Sequence, residues 1–246
     1  MSSHNSEINS GNLIEVKDLS FAYKKNDWIL RDINIRIKKG EVIGLVGDSG
    51  SGKTTFAYIL KGIIPQIFKG YLKGNVYINH LDIRKAKIVQ IAKIVGMVFQ
   101  DLNSQLFSNT VKEEILFGLQ NLKLNLDWGK EAMDFLNIES LAEEIPMNLS
   151  AGQKQRVILA SIIATKPKLL ILDEPSAHLD FKGKYSLLKN IKRLNSEYNT
   201  TILLISQDPW IIGELCHHIL YFNNYSIKYQ PTEEKIQKVP QWSWIL

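Results

Sequence analysis

The feature that most constrains the fold of this chain is a glycine-rich segment, residues 47–54, that follows an apolar run and precedes a helical pattern. Its letters, GDSGSGKT, fit the pattern G-x-x-x-x-G-K-[ST], in which backbone N–H groups turn toward a phosphate and the next helix adds its positive N-terminal end. Glycines allow the positive φ angles that such a loop needs. The alternative is a glycine-rich turn without a ligand, but the strand before and the helix after favour a nucleoside triphosphate site.

Two side chains of this loop have expected roles. We expect Lys53 to reach the β- and γ-phosphates and to be part of the catalytic set, and Thr54 to give its hydroxyl to magnesium. The residues of the loop predicted to contact the nucleotide are Gly47, Asp48, Ser49, Gly50, Ser51, Gly52, Lys53, Thr54 and Thr55.

Short apolar runs alternate with helical patterns along the chain. The predicted strands are residues 13–21, 33–37, 42–46, 94–99, 169–172 and 201–205, and the predicted helices are 54–61, 151–165 and 182–198. Such alternation is typical of an α/β fold with a parallel sheet covered on both faces. The early strands lack helices between them and should form an antiparallel sheet, and the mainly helical residues 101–165 form an insert. We divide the chain into a polar N-terminal tail (1–12), a main domain (13–222) and a short C-terminal tail (223–246).

The apolar strand at 169–172 ends in two carboxylates, Asp173 and Glu174. We expect Asp173 to hold magnesium and Glu174 to polarise an attacking water. The alternative is a strand-end turn with solvated acids, which the phosphate loop upstream disfavours.

A second anion site is predicted at residues 149–156, LSAGQKQR, which an apolar helix follows. Ser150 and the N–H of Gly152 lie at the start of that helix, where anions bind well. The alternative is an ordinary capped helix. The segment resembles the signature motif of ABC ATPases, usually L-S-G-G-Q, with Ala151 in place of the first glycine.

The resemblance covers residues 13 to about 221. It implies an α/β P-loop NTPase (RecA-like) core with a mainly parallel sheet, an antiparallel β subdomain and an inserted helical subdomain. It also implies that ATP and Mg are bound between two such subunits. The further residues to which it gives roles are Tyr23 (stacking on adenine, with strand packing as the alternative), Gln100 (contact with magnesium and with the membrane subunit), Ser150, Gly152 and Gln153 (the ATP of the second subunit) and Asp180 (the dimer interface).

The subfamily is indicated by residues 100–107, QDLNSQLF, and by TVKEE at 110–114 and FG at 117–118. These segments resemble energy-coupling factor (ECF) ATPases, which power the uptake of vitamins or of cobalt and nickel ions. The resemblance implies a paralogous second ABC ATPase, a transmembrane coupling subunit and a substrate-binding membrane subunit, at the cytoplasmic face of the cell membrane. Leu106 and Phe107 either form an apolar bump beside a groove for a partner's helix or both pack into the helical insert.

One residue departs from the family pattern I-x-H-D, because Gln207 stands where the family has a histidine. Glutamine can donate a hydrogen bond to the γ-phosphate but cannot carry the charge of an imidazolium. We therefore include Gln207 in the catalytic set with Glu174 and Lys53. We hypothesise that this chain's own ATP site is slow, and that its partner is a paralogue with a histidine.

Composition narrows the remaining classes. The net charge of +5 comes from scattered basic residues, so no basic stripe indicates nucleic acid. The single cysteine excludes an internal disulfide and fits a reducing cytosol. ABC proteins of DNA repair carry long coiled coils and translation-associated ones carry two cassettes, and neither is evident here. A nucleotide sensor is the remaining alternative, which Gln207 favours and Glu174 opposes.

Overall fold

The computed structural model describes residues 11–177 and 179–231 of the 246-residue chain. Most of the predicted N-terminal tail lies outside these residues, as do Trp242 and Trp244, which the sequence suggests as anchors on a neighbour or on the chain itself. The strands are β1 (Asn12–Ala22), β2 (Trp28–Lys38), β3 (Val42–Gly47), β4 (Tyr71–Ile78), β5 (Leu81–Asp82), β6 (Val95–Val98), β7 (Leu169–Asp173), β8 (Thr201–Ile205), β9 (His218–Asn223) and β10 (Ser226–Pro231). The helices are α1 (Lys53–Leu60), α2 (Ile63–Gln66), α3 (Ile88–Ala92), α4 (Val111–Leu122), α5 (Asp127–Leu136), α6 (Ala151–Ile163), α7 (Phe181–Tyr198) and α8 (Pro209–Leu215).

Six strands form the central sheet, in the order β10-β9-β3-β8-β7-β6. All neighbouring pairs in it are parallel except β10 with β9. Its strands are buried on both faces: Leu170 and Leu172 of β7 pack into one core, and Leu169 and Ile171 pack into the other. This burial explains why these strands appear in the sequence as continuous apolar runs. The predicted mainly parallel sheet is confirmed.

The other four strands form an antiparallel sheet in the order β2-β1-β4-β5. Its inner face packs with α1 and with one face of the central sheet in a shared core. Between β6 and β7 the chain forms helices α4, α5 and α6 with three 3-10 turns (Asn103–Gln105, Glu139–Leu141 and Pro146–Asn148). These helices build the other core against the opposite face of the central sheet. The expected antiparallel subdomain and helical insert are therefore both present.

The structure differs from the sequence expectation in four strands that the pattern did not predict, namely β4, β5, β9 and β10. The central sheet continues past residue 222, where we expected a tail to begin, because β10 pairs with β9 through a tight hairpin. The hairpin's central residues, Asn224 and Tyr225, both have positive φ (46° and 66°), which matches the turn type that suits such hairpins. β10 is an edge strand with polar residues, so it lacks the apolar run that marks a buried strand.

Candidate nucleotide site

The predicted nucleotide site is assembled at one edge of the central sheet. Parallel strands β3, β8, β7 and β6 all end there, so the loops that follow them come together. These loops line one pocket of about 540 Å³. The predicted site residues in its lining are Ser49, Gly50, Gly52, Lys53, Thr54, Thr55, Gln100, Asp173, Glu174 and Gln207.

The phosphate loop has the backbone that its glycines were expected to allow. Gly47 and Gly52 have φ of 145° and 101°. A Cβ at Gly47 would lie 2.5 Å from the carbonyl oxygen of Phe222, so this position excludes any side chain. Gly52 precedes the first residue of α1, which begins at Lys53, so the N-terminal end of α1 opens into the pocket.

Lys53 is buried and its ammonium lies inside the loop. Its Nζ donates to the carbonyl oxygens of Gly47 over 2.8 Å and of Asp48 over 2.7 Å. Burial lowers the pKa of Lys53, and the carboxylates of Glu174, Asp173 and Asp48 oppose that shift. The ammonium is thus held among loop carbonyls, next to the two acids that end β7.

The two acids lie where β7 ends and differ in their partners. Asp173 is 5% exposed, and its Oδ2 accepts a hydrogen bond from Thr54 Oγ1 over 3.1 Å. Burial raises the pKa of Asp173, while the bond from Thr54 and the charge of Lys53 lower it. The structure therefore brings together the hydroxyl and the carboxylate that the sequence assigned to one metal.

Glu174 is half-buried and has an unusual backbone, with φ of 47°. Its Oε2 accepts from the backbone N–H of Gln207 over 3.4 Å, and its own N–H donates to the carbonyl oxygen of Ile205 over 2.9 Å. Burial raises the pKa of Glu174, and the bond from Gln207 lowers it. The ends of β7 and β8 thus fix this carboxylate at the pocket wall, where an attacking water could bind.

Tyr23 lies beside the pocket rather than in its lining. Its ring packs edge-on against Phe21 with centroids 4.8 Å apart, and its hydroxyl is 3.4 Å from Thr55 Oγ1. The side chain is 41% exposed. Both interpretations of Tyr23, strand packing and stacking on a base, are compatible with this position.

The remaining predicted nucleotide contacts lie at a second pocket, of about 290 Å³, between the first turns of α6 and α7. Ser150 caps α6 in a reciprocal arrangement with Gln153, in which each side chain binds the other's backbone N–H. Asp180 caps α7 by accepting from the N–H of Gly183 over 2.7 Å. These three residues and Gly152 line this pocket, and none of them lines the pocket of Lys53.

Two glutamines to which the sequence analysis gave no role hold backbone segments near the nucleotide site. Gln155 is buried, and its amide donates to the carbonyl oxygen of Pro175, so it ties α6 to the residue after Glu174. Gln105 accepts from the N–H of Phe99 over 3.2 Å and donates to the carbonyl oxygens of Phe99 and Asp101, both over 3.3 Å. Gln105 therefore holds the loop that carries Gln100 by hydrogen bonds on both sides of that residue. For Gln155, the available signal was a polar residue on the apolar face of a helical pattern.

Neither interpretation of Leu106 and Phe107 is correct for both residues. Leu106 is 6% exposed and packs into the core, whereas Phe107 is 62% exposed and contacts only the ring edge of Phe117 among the aromatic side chains described. Glu114, itself buried, holds this turn by accepting from the N–H groups of Phe107 and Ser108, each over 3.0 Å. Phe107 lies on the rim of an open groove of about 500 Å³ between β6, α4 and α6, which we call the α4 groove.

None of the helices in the described part of the chain is both long enough and apolar enough to cross a lipid bilayer.

Comparisons with known proteins agree with this geometry. A family model described as "ABC transporter" matches residues 30–177. A putative ABC transporter ATP-binding protein of Pyrococcus abyssi is 38% identical over 92% of this chain and 82% of its own length. The energy-coupling factor transporter ATP-binding protein EcfA2 of Caldanaerobacter subterraneus subsp. tengcongensis is 38% identical over 91% of this chain and 80% of its own length.

Two solved structures are similar to the whole fold. The protein cbiO1 of Clostridium perfringens, described as part of the ABC transporter complex cbiONQ, has a TM-score of 0.82 at 28% identity, and the match covers 96% of this chain and 98% of that chain. An ATP-binding cassette solved as a dimer in a post-hydrolysis state, bound to ADP and Pi, has a TM-score of 0.76 at 25% identity over 89% of this chain and 98% of its own.

Proposed function

This chain belongs to the ABC transporter family and is an ATP-binding, ATP-hydrolysing protein, and on that premise we propose that it is the motor subunit of an ECF-type importer. Its similarity to EcfA2 and to cbiO1 supports the ECF class. The cargo of that class, by resemblance, is a vitamin or a transition-metal ion, which a separate membrane subunit selects.

The observation that carries this proposal is the division of the predicted nucleotide contacts between two pockets. Lys53 and Glu174 line one pocket, and Ser150 and Asp180 line the other. One chain therefore holds two half-sites, and a complete ATP site needs the second pocket of another ATPase chain. We propose a paralogous ABC ATPase as that second chain.

In the complete site, Lys53 exchanges its bonds to the loop carbonyls for bonds to the β- and γ-phosphates of ATP. Thr54, Asp173 and Gln100 supply oxygen atoms of the kind that Mg²⁺ prefers, and the ion, when bound, offsets the charge of the phosphates. Glu174 orients the attacking water and accepts its proton. Positioning and charge supply the catalysis, as is general for phosphoryl transfer.

The α4 groove is our candidate for contact with the membrane. Its rim carries the exposed rings of Phe107 and Phe117, an apolar surface that fits the apolar face of a partner's helix. Gln105 lines the same groove and is hydrogen-bonded to the loop that carries Gln100. A helix docked in the groove would therefore be connected through Gln105 to the nucleotide pocket. Such docking supports our proposal that the chain binds peripherally, at the cytoplasmic face of the membrane.

The test is purification of the tagged chain from membranes of its own cells. We expect a second ABC ATPase and membrane-embedded proteins to co-purify, and ATP binding at the pocket of Lys53 to be lost with Lys53→Ala. Recovery of the chain without membrane proteins would contradict the transporter assignment. Undiminished ATP binding at this pocket in the Lys53→Ala complex would contradict the assignment of the nucleotide site.

A nucleotide sensor is the second candidate, and the exposed Gln207 at the pocket is the observation that favours it. Glu174 argues against a sensor, because a protein that only binds ATP does not need a carboxylate to activate a water molecule. Tight ATP binding without hydrolysis by the intact complex would favour the sensor.

A further inference from the structure

Three exposed aromatic side chains lie together where α7 and α8 begin. Phe181 is 74% exposed and stacks on Trp210, which is 37% exposed, with ring centroids 5.6 Å apart and an angle of 25° between the rings. Tyr185 is 60% exposed and lies four residues along α7 from Phe181, so both point from the same face of that helix. We call these three residues the aromatic patch.

The aromatic patch is held in place by bonds between the two helices. Lys184 Nζ lies 2.7 Å from Asp208 Oδ2, which ties the first turn of α7 to the start of α8. Asp208 also caps α8 by accepting from the N–H groups of Trp210 over 3.1 Å and of Ile211 over 3.4 Å. Because these bonds already hold the starts of the two helices together, the patch loses little conformational freedom when a partner covers it.

The position of the aromatic patch relates it to both half-sites. Phe181 directly follows Asp180, which lines the pocket at the start of α6 and α7. Trp210 comes three residues after Gln207, which lines the pocket of Lys53. Along the chain, Phe181 and Trp210 are thus close neighbours of residues that line the two pockets, which, under the proposed function, a second ATPase subunit covers.

We propose that the aromatic patch is a contact surface for the second ABC ATPase subunit, which buries it when the two half-sites close on ATP. This inference rests on the proposed function and adds an interface to it. Contiguous exposed aromatic side chains are typical of protein interfaces, and their burial at the border of the ATP sites would strengthen pairing. The partner surface that fits them is apolar or carries guanidinium groups, which stack on aromatic rings.

The first test is site-specific photo-cross-linking in cells, with p-benzoylphenylalanine placed in turn at Phe181, Gln153 and Tyr198. Gln153 reports on the ATP interface itself. Tyr198 is the matched control, because it is 51% exposed and lies at the opposite end of α7, about 25 Å away at 1.5 Å per residue.

We expect the probes at Phe181 and Gln153 to cross-link to a chain that carries a phosphate loop and a signature motif, and the probe at Tyr198 not to do so. Cross-linking from Gln153 but not from Phe181 would overturn the inference and leave the proposed function intact. Capture of an ATPase from neither position would count against both. Cross-linking of Phe181 to a membrane subunit or to an unrelated protein would also overturn the inference.

The second test measures ATP-dependent pairing with the ATPase so identified. Phe181→Ser should weaken that pairing at least about tenfold, whereas Tyr198→Ser should change it by less than about twofold, since few residues dominate an interface. Thermal unfolding of each variant checks that the fold is kept. Equal pairing by Phe181→Ser and the parent would overturn the inference.

Discussion

Thr54 Oγ1 donates a hydrogen bond to Asp173 Oδ2 over 3.1 Å, although 119 positions separate the two residues along the chain. Thr54 lies on the first turn of α1, and Asp173 ends β7, two strands away from β3 in the sheet. The bond is formed by the protein alone and joins the first turn after the phosphate loop to the acidic end of β7. Both atoms are oxygens that could bind one Mg²⁺ ion.

Replacement of Thr54 by valine tests this pair. The change keeps the shape but removes the hydroxyl, so Asp173 loses its donor and the proposed metal loses a ligand. We expect single-turnover hydrolysis at the site built on Lys53 to fall at least about tenfold and to need more Mg²⁺, since magnesium neutralises the transferring phosphate. A Mg²⁺ titration of hydrolysis measures both effects. Thr54→Ser is the control, because it keeps the hydroxyl, and parent-like Mg²⁺ dependence in Thr54→Val would contradict the proposed metal site.

Much of this site was predictable, because its parts are local sequence patterns. The strand–loop–helix unit around Lys53 and the cap of α6 at Ser150 are each determined by a few neighbouring residues. Thr54 meets Asp173 because parallel strands of one sheet end at the same edge, and the alternation of strands and helices indicated such a sheet.

The features that the sequence did not predict depend on distant or unusual contacts. Strand β4 is formed by pairing with β1, in which Ile14 lies opposite Ile78, and Gly74 interrupts its pattern. The hydrogen bonds of Gln105 to the loop of Gln100 join a side chain to backbone groups. Such bonds produce no periodic pattern in the sequence. Leu106 and Phe107 separate because a turn, held by Glu114, points one inward and one outward.

The pH dependence of hydrolysis is expected to report Glu174. Burial raises its pKa above the ordinary value of 4.5. The carboxylate form is the one that can accept a proton, so activity should be lost as the pH falls through this raised pKa. A pH–rate profile of single-turnover hydrolysis at the site built on Lys53 should show an acidic limb centred above 4.5. Glu174→Gln should lose most activity and this limb together, and a limb centred at or below the ordinary value would contradict the assignment.

Replacement of Gln207 by histidine is expected to speed hydrolysis at the site built on Lys53. The backbone N–H of Gln207 already binds Glu174, so a side chain at this position lies beside the proposed base. An imidazole can carry charge and handle protons, and such groups are typically worth about 10²–10⁴ in rate. We expect an increase of at least about tenfold in single-turnover hydrolysis. Gln207→Asn is the control for size and polarity, and an unchanged rate in Gln207→His would show that the glutamine does not slow this site.

The α4 groove permits a test that separates folding from docking. Phe107 is 62% exposed, so Phe107→Ala should change the free energy of unfolding by no more than about 0.5 kcal/mol, as is usual at surfaces. Glu114 is buried and accepts two backbone hydrogen bonds, so Glu114→Ala should cost about 1.5–3 kcal/mol, the range for bonds to a charged group. Both variants should co-purify with less membrane protein, and denaturant unfolding measures the difference in their stability. Normal membrane association of a folded Phe107→Ala protein would show that the ring of Phe107 is not a docking contact.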